Sequence, residues 1–196
     1  AGDATFLQGE CWFKQQKWEA ALPWYEKVVA RQDPQYFALS LFRSGECAGK
    51  LENWKQSQQI HEKVLSDFSV FELRAEARYG AGWALQNQGQ LAEAIKQYEK
   101  VTEETQTETA AKARFMIGEC CFAQKDHKEA TRHFLKAAYS YGHKEWSPMA
   151  FFEAGRCFEV LRDTAQAKNC YQQIVEKYPE HSKVRDAQRR LTALGS

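Results

Sequence analysis

The stretch Ala113–Phe134, ARFMIGECCFAQKDHKEATRHF, gathers a glycine, two adjacent cysteines and two histidines, and its reading decides between a reactive site and a repeating fold. Its centre, Gly118-Glu119-Cys120, recurs as Gly9-Glu10-Cys11, Gly45-Glu46-Cys47, Gly82-Trp83-Ala84 and Gly155-Arg156-Cys157. These glycines stand 36, 37, 36 and 37 residues apart, a period that marks stacked structural repeats. Twelve residues after each glycine comes a small residue: Ala21, Ser57, Ala94, Ala130 and Ala167. Nineteen after each comes an apolar one: Val28, Val64, Val101, Ala137 and Ile174. The internal spacings never vary, so the alternation of period arises in the joints between repeats.

Within a repeat, apolar residues recur at helical intervals on both sides of a short polar break, as in Phe122, then Gln124-Lys125-Asp126, then Ala130 and Phe134. That pattern predicts a helical hairpin. A glycine inside a helix costs about 1 kcal/mol relative to alanine, so one kept in every repeat requires a packing reason. Two antiparallel helices about 8 to 10 Å apart need small side chains where they approach, and glycine on the first helix facing alanine on the second would supply them. Tyr25, Tyr98, Phe134 and Tyr171 share one position on the second helix, with His61 the odd member. Pro34 and Pro179 punctuate repeat ends, Pro148 suits a first helical turn, and Pro23 is expected early in a second helix, where a missing N–H is tolerated.

The chain's 196 residues, 43% hydrophobic and 13% aromatic, are enough to bury a core. With 27 basic and 26 acidic side chains the net charge is +1, which provides no global field toward nucleic acid or an anionic membrane. No apolar run reaches the roughly 18 residues of a membrane span, so direct membrane insertion is not expected. The opening AGDATF has no leader-like basic or apolar region and no initiator Met, and it reads as the start of a fragment or processed chain. Six cysteines in a chain with only 4 Pro and 11 Gly read as free thiols rather than as a disulfide framework. Free thiols lean toward a reducing compartment, but the sequence assigns no location.

The spacing of glycine, small residue at twelve, aromatic at sixteen and apolar at nineteen resembles the tetratricopeptide repeat. It covers nearly the whole chain in five hairpins, over residues 2–34, 35–71, 72–107, 108–144 and 145–180, followed by a capping helix at 183–194. The period exceeds the family's usual length and resembles longer variants found in bacterial cell-envelope and assembly proteins. The resemblance implies an all-α fold, a right-handed α-α superhelix forming a single domain over 1–196. Gln8 and Ser44 depart from the large apolar residue the family often places before the glycine, as do Ser57 and His61 within the second repeat.

The reactive-looking residues read as packing. Cys11, Cys47, Cys120 and Cys157 occupy one repeat position, about a repeat apart and beyond the roughly 7 Å Cα separation a disulfide requires. They are expected to be small core residues, as is Cys121, whereas Cys170 is expected to be partly exposed. No close Cys or His pairs supply four zinc ligands, and His127 and His133 are six residues apart, off a shared helical face. Gly80-x-Gly82 lacks the third glycine of a dinucleotide fingerprint, and neither a phosphate-binding loop nor a G-x-S-x-G elbow occurs. No catalytic residue, cofactor or metal is assigned, and the chain is read as non-enzymatic.

In tetratricopeptide arrays the first helices line the face where partner peptides lie. Three before each glycine stand Phe6, Phe42, Tyr79, Phe115 and Phe152; one after it stand Glu10, Glu46, Trp83, Glu119 and Arg156. Each such pair is i, i+4 and shares a helix face. On one reading these aromatics pack between neighbouring first helices. On the other they form a partner-binding groove of Phe42, Tyr79, Trp83, Phe115 and Phe152, rimmed by Arg43, Glu46, Glu119 and Arg156. Chaperone-binding members of the family hold a C-terminal carboxylate with Lys and Asn at these positions. Acidic residues here would repel that ligand and favour an apolar or mildly basic segment. The expected function is a protein- or peptide-binding scaffold. The alternatives are an arm of a larger protein, enzymatic or envelope-associated, and a homo-oligomerising module built on Trp12, Trp18 and Trp24.

Overall fold

The computed structural model describes residues 2–195. Among the described residues there are eleven α-helices and no strand: α1 (Gly2–Lys14), α2 (Trp18–Ala30), α3 (Phe37–Lys50), α4 (Trp54–Asp67), α5 (Arg74–Asn87), α6 (Leu91–Glu104), α7 (Glu108–Ala123), α8 (His127–Ser140), α9 (Trp146–Val160), α10 (Thr164–Lys177) and α11 (Val184–Ala193). The chain divides into two compact units, Ala1–Gln97 and Tyr98–Ser196, with the division inside α6. In the N-terminal unit α1 to α5 pack each on the next in chain order; in the C-terminal unit α7 to α11 do the same.

One turn geometry makes every hairpin alike. The seventh residue after each repeat glycine has a left-handed backbone: Gln16 (φ 59°), Glu52 (61°), Gly89 (76°), Lys125 (63°) and Arg162 (61°). Around Lys125 its N–H donates to the Phe122 carbonyl at 2.9 Å and the Asp126 N–H donates to the Cys121 carbonyl at 3.0 Å, the paired bonds of a Schellman cap. The same two bonds close the other four turns, ending in Lys17, Asn53, Gln90 and Asp163. The next helix starts at once, and in two repeats the turn residue also caps it, Asp126 accepting from the Glu129 N–H and Asp163 from the Gln166 N–H, each at 3.1 Å. Only the third repeat places glycine at the left-handed position, where other residues cost roughly 1–2 kcal/mol. Lys125→Gly should therefore stabilise the protein by about 0.5–1 kcal/mol and Gly89→Ala destabilise it by about 1 kcal/mol, as read by urea denaturation.

The turn also fixes which residues face each other, and here the sequence reading needs correction. In an antiparallel hairpin, facing positions have residue numbers of constant sum, so the repeat glycine opposes the aromatic sixteen residues on rather than the small residue at twelve. A methyl on Gly118 would lie 2.6 Å from the Phe134 ring, one on Gly155 2.6 Å from Tyr171, and one on Gly9 2.8 Å from Tyr25. The small residue at twelve faces four past the glycine instead: a methyl on Gly49 would sit 3.1 Å from Ser57 Oγ, which itself donates to the Gly45 carbonyl at 2.9 Å. The close approach is real, but a ring fills the space that glycine leaves.

The stripe at twelve, sixteen and nineteen forms the core. Ala21, Tyr25 and Val28 of α2 pack with Phe6 of α1 and Cys47 of α3, so one cluster joins two successive hairpins. Val64 of α4 likewise joins Leu41 and Phe42 of α3 to Ala77 of α5. Each fully buried large side chain contributes about 1.5–3 kcal/mol, and in this arrangement the gain accrues between neighbouring hairpins as much as within one. Pro148 is the third residue of α9, as expected. Pro23 is the sixth residue of α2, beyond the first turn, so the Glu19 carbonyl loses its helical donor; the exposed ring position makes this tolerable.

Candidate interaction surface

In the N-terminal unit, the first-helix face is organised around Arg43 of α3. Its Nε donates to Glu10 Oε1 of α1 at 3.0 Å and its Nη1 to Glu46 Oε2 at 2.6 Å. The guanidinium also lies 4.7 Å from the Phe13 ring centroid. Glu10 Oε1 in turn accepts from the Tyr25 hydroxyl at 2.6 Å, and burial with this carboxylate holds the phenol protonated far above its ordinary range. Arg43 is thus engaged within the chain. Glu46, one turn further along α3, is partly buried, and that desolvation raises its carboxyl above the ordinary range against the opposing pull of Arg43. Trp83 of α5 is half-buried, edge-on to Trp54 at 4.9 Å, with Lys50 Nζ 5.4 Å from its ring. Burial raises the Tyr79 phenol as well.

In the C-terminal unit, the corresponding face carries Glu119 of α7 with Glu153 and Arg156 of α9. Arg156 Nη1 donates to Glu153 Oε2 at 2.6 Å, and its guanidinium lies 5.4 Å from Phe122. Glu119 is half-buried, and its carboxyl is raised first by desolvation and then by Glu153, with Arg156 pulling it back. Arg156 therefore bonds Glu153 and acts on Glu119 only at longer range. Further along, Glu159 accepts from the Tyr171 hydroxyl at 2.5 Å and from Arg190 of α11 at 3.0 Å.

Of the nine groove residues read from sequence, Phe42, Phe115 and Phe152 are core: they are 3%, 7% and 7% exposed. Phe115 lies 5.2 Å from Phe134 and Phe152 lies 5.6 Å from Tyr171, so each covers the aromatic at position sixteen of its own hairpin. The other six are partly exposed: Arg43, Glu46, Tyr79 and Trp83 in the N-terminal unit, and Glu119 and Arg156 in the C-terminal unit. Glu10 and Glu153, absent from that reading, complete the charge networks. For Glu153 the signal was present in the sequence, since Arg43/Glu46 and Glu153/Arg156 are the same i, i+3 pair with signs exchanged; for Glu10 it was not, because its partner lies 33 residues away.

Cysteine placement is corrected at two positions. Cys11 is exposed, and Cys170 is buried. Burial pushes the Cys47 and Cys120 thiols up to about 12, so neither is a nucleophile near neutrality. Among the described residues, no three His, Cys, Asp or Glu side chains cluster as metal ligands, and no helix is long and apolar enough to cross a membrane.

A tetratricopeptide repeat model matches residues 1–37, 48–108 and 79–144, and a second one matches 149–181. No curated protein matches the chain. Several solved structures share the fold. RapI in its apo form aligns with TM-score 0.82 at 15% identity, over 100% of this chain and 77% of that one. MamA aligns with TM-score 0.74 at 18% identity, over 94% of each chain. YrrB, described as a TPR protein with an unusual peptide-binding site, aligns with TM-score 0.67 at 19% identity, over 94% and 90%. The repeat models span most of the sequence, and five glycine-centred hairpins with identical turns account for the match: the chain belongs to the tetratricopeptide repeat family.

Proposed function

We propose that the chain is a non-catalytic scaffold whose first-helix faces bind a protein or peptide segment that is apolar or mildly basic. The observation that carries this reading is the state of Glu46 and Glu119. Each is a partly buried carboxylate at the position after a repeat glycine, and each is raised by desolvation despite a neighbouring arginine. A lysine or arginine from a partner would relieve that penalty, whereas a partner carboxylate would add to it. Trp83, half-buried on α5 of the N-terminal unit, is the aromatic type that most often anchors an interface. The likeness to YrrB, whose structure is described by its peptide-binding site, agrees with this reading through the shared fold.

Selection from a random peptide display library should enrich sequences that combine apolar residues with Lys or Arg. Recovery of acidic C-termini alone would overturn the reading. For a selected basic peptide, Glu119→Lys should weaken binding at least about tenfold, with helical content and melting temperature unchanged. Equal affinity for both proteins would remove the C-terminal unit's face from the binding surface.

A further inference from the structure

The repeat supplies its own reference for what each position normally touches, and one helix departs from it. Five before the repeat glycine, Ser40, Ala77, Ala113 and Ala150 are 0% exposed; two after it, Cys47, Ala84, Cys120 and Cys157 are also 0% exposed. In α1 the same positions hold Ala4 and Cys11, equally small, yet both are exposed, and Leu7 between them is 57% exposed. The residues of an internal repeat are present without their cover.

Elsewhere in the N-terminal unit the cover is visible. α3 is covered by α2, whose Ala21, Tyr25 and Val28 pack with Cys47. α5 is covered by α4, whose Val64 packs with Ala77. At the rim of α5, Gln88, six past its repeat glycine, donates to Gln58 Oε1 of α4 at 2.8 Å; Leu51 holds that position after α3. Gln15 holds that position just after α1 and is exposed; its amide bonds the Cys11 carbonyl, as the Gln88 amide also bonds that of Ala84.

We propose that the Ala4–Leu7–Cys11 face of α1 docks the second helix of a further hairpin of the same class. The occupant presents a small residue, a planar ring four on (aromatic as in Tyr25, or imidazole as in His61) and a β-branched aliphatic three beyond that, with a side-chain acceptor for Gln15 at its edge. It continues the interface already built twice in this unit, α2 on α3 and α4 on α5. The chain's own last helix does not fit this description, because Arg185, Gln188 and Arg189 expose charge and amide along α11. A second copy of α1 also fits poorly, since its open face repeats the small residues and offers one projecting side chain, Leu7. Dimers of ordinary stability bury far more than one such face.

The test reads Cys11, the exposed cysteine, by iodoacetamide labelling and peptide mass spectrometry. Residues 37–73, α3 and α4 with their native joint, are copied ahead of Ala1, which puts Ala1 in the register that Arg74 holds in α5. Labelling of Cys11 should slow at least about tenfold, toward the rate of the buried cysteines, because access would then require opening of the stack. Val64→Asp in the added copy alone should restore the original rate. An unchanged Cys11 rate in the extended chain overturns the proposal, whether or not the added segment becomes helical, since a matching face should order it. In the original chain, concentration-dependent protection of Cys11 that Leu7→Glu abolishes would also overturn it, by making a second copy the occupant.

Discussion

Gly118→Ala should destabilise the protein by roughly 2 kcal/mol, even though alanine is the better helix former by about 1 kcal/mol. The added methyl would stand 2.6 Å from two carbons of the Phe134 ring and 2.9 Å from a third, distances that no relaxed contact shows. Phe134 is fully buried, so the ring has no free space to enter, and overpacking of this kind costs about 1–3 kcal/mol. With three ring atoms engaged, the upper end of that range applies before the helical gain is subtracted. In a Phe134→Leu background the obstruction is gone, and Gly118→Ala should become neutral or slightly stabilising. A double-mutant cycle by urea denaturation would then show a coupling of roughly 2 kcal/mol between the two positions. Independent effects would mean that the glycine is kept for some reason other than the ring.

That pairing also shows where sequence reasoning was sufficient and where it stopped. The period of 36 or 37 residues and the invariant positions at twelve, sixteen and nineteen were legible, because residue size and polarity report directly on a repeated environment. Which buried position meets which depended on the length of the turn. Once the left-handed residue at seven is placed, the glycine must face position sixteen, and the reading of glycine against alanine fails. The aromatics before the glycines form a stripe in the sequence, but a stripe does not say which side of it is covered, and Phe42, Phe115 and Phe152 are buried in the core. Cys11 shows the reverse case: its type matches Cys47, Cys120 and Cys157, and its exposure differs because burial at the end of a stack belongs to the neighbour rather than to the residue. Arg43 and Glu10 lie 33 residues apart, and only the stacking of α1 on α3 brings them to 3.0 Å.

Acid should weaken the protein through His61, the one departure from aromatic residues at position sixteen. Its ring is 2% exposed and lies against Gly45 and Gly80, which leave it room, and beside Phe42, 5.6 Å away. Nδ1 is buried without a hydrogen-bond partner, and burial alone depresses the imidazole to about 4 from 6.5. Between those two values the unfolded chain binds a proton that the native ring excludes, so acidification draws the equilibrium toward unfolding. The contribution is fully present above pH 6.5, declines by about 1.4 kcal/mol per pH unit below it, and levels off below about pH 4, for a total of roughly 3 kcal/mol. His133, buried in the C-terminal unit and also lowered to about 4 by desolvation and then by Arg114 and Arg132, acts in the same direction and remains in any His61 variant. The informative quantity is therefore a difference: stability lost between pH 7 and pH 4 should be roughly 3 kcal/mol greater for the parent chain than for His61→Phe, whatever the absolute stability of the variant at pH 7. Equal losses would mean that His61 takes up its proton without unfolding, by opening its packing against Gly45 and Gly80 to water.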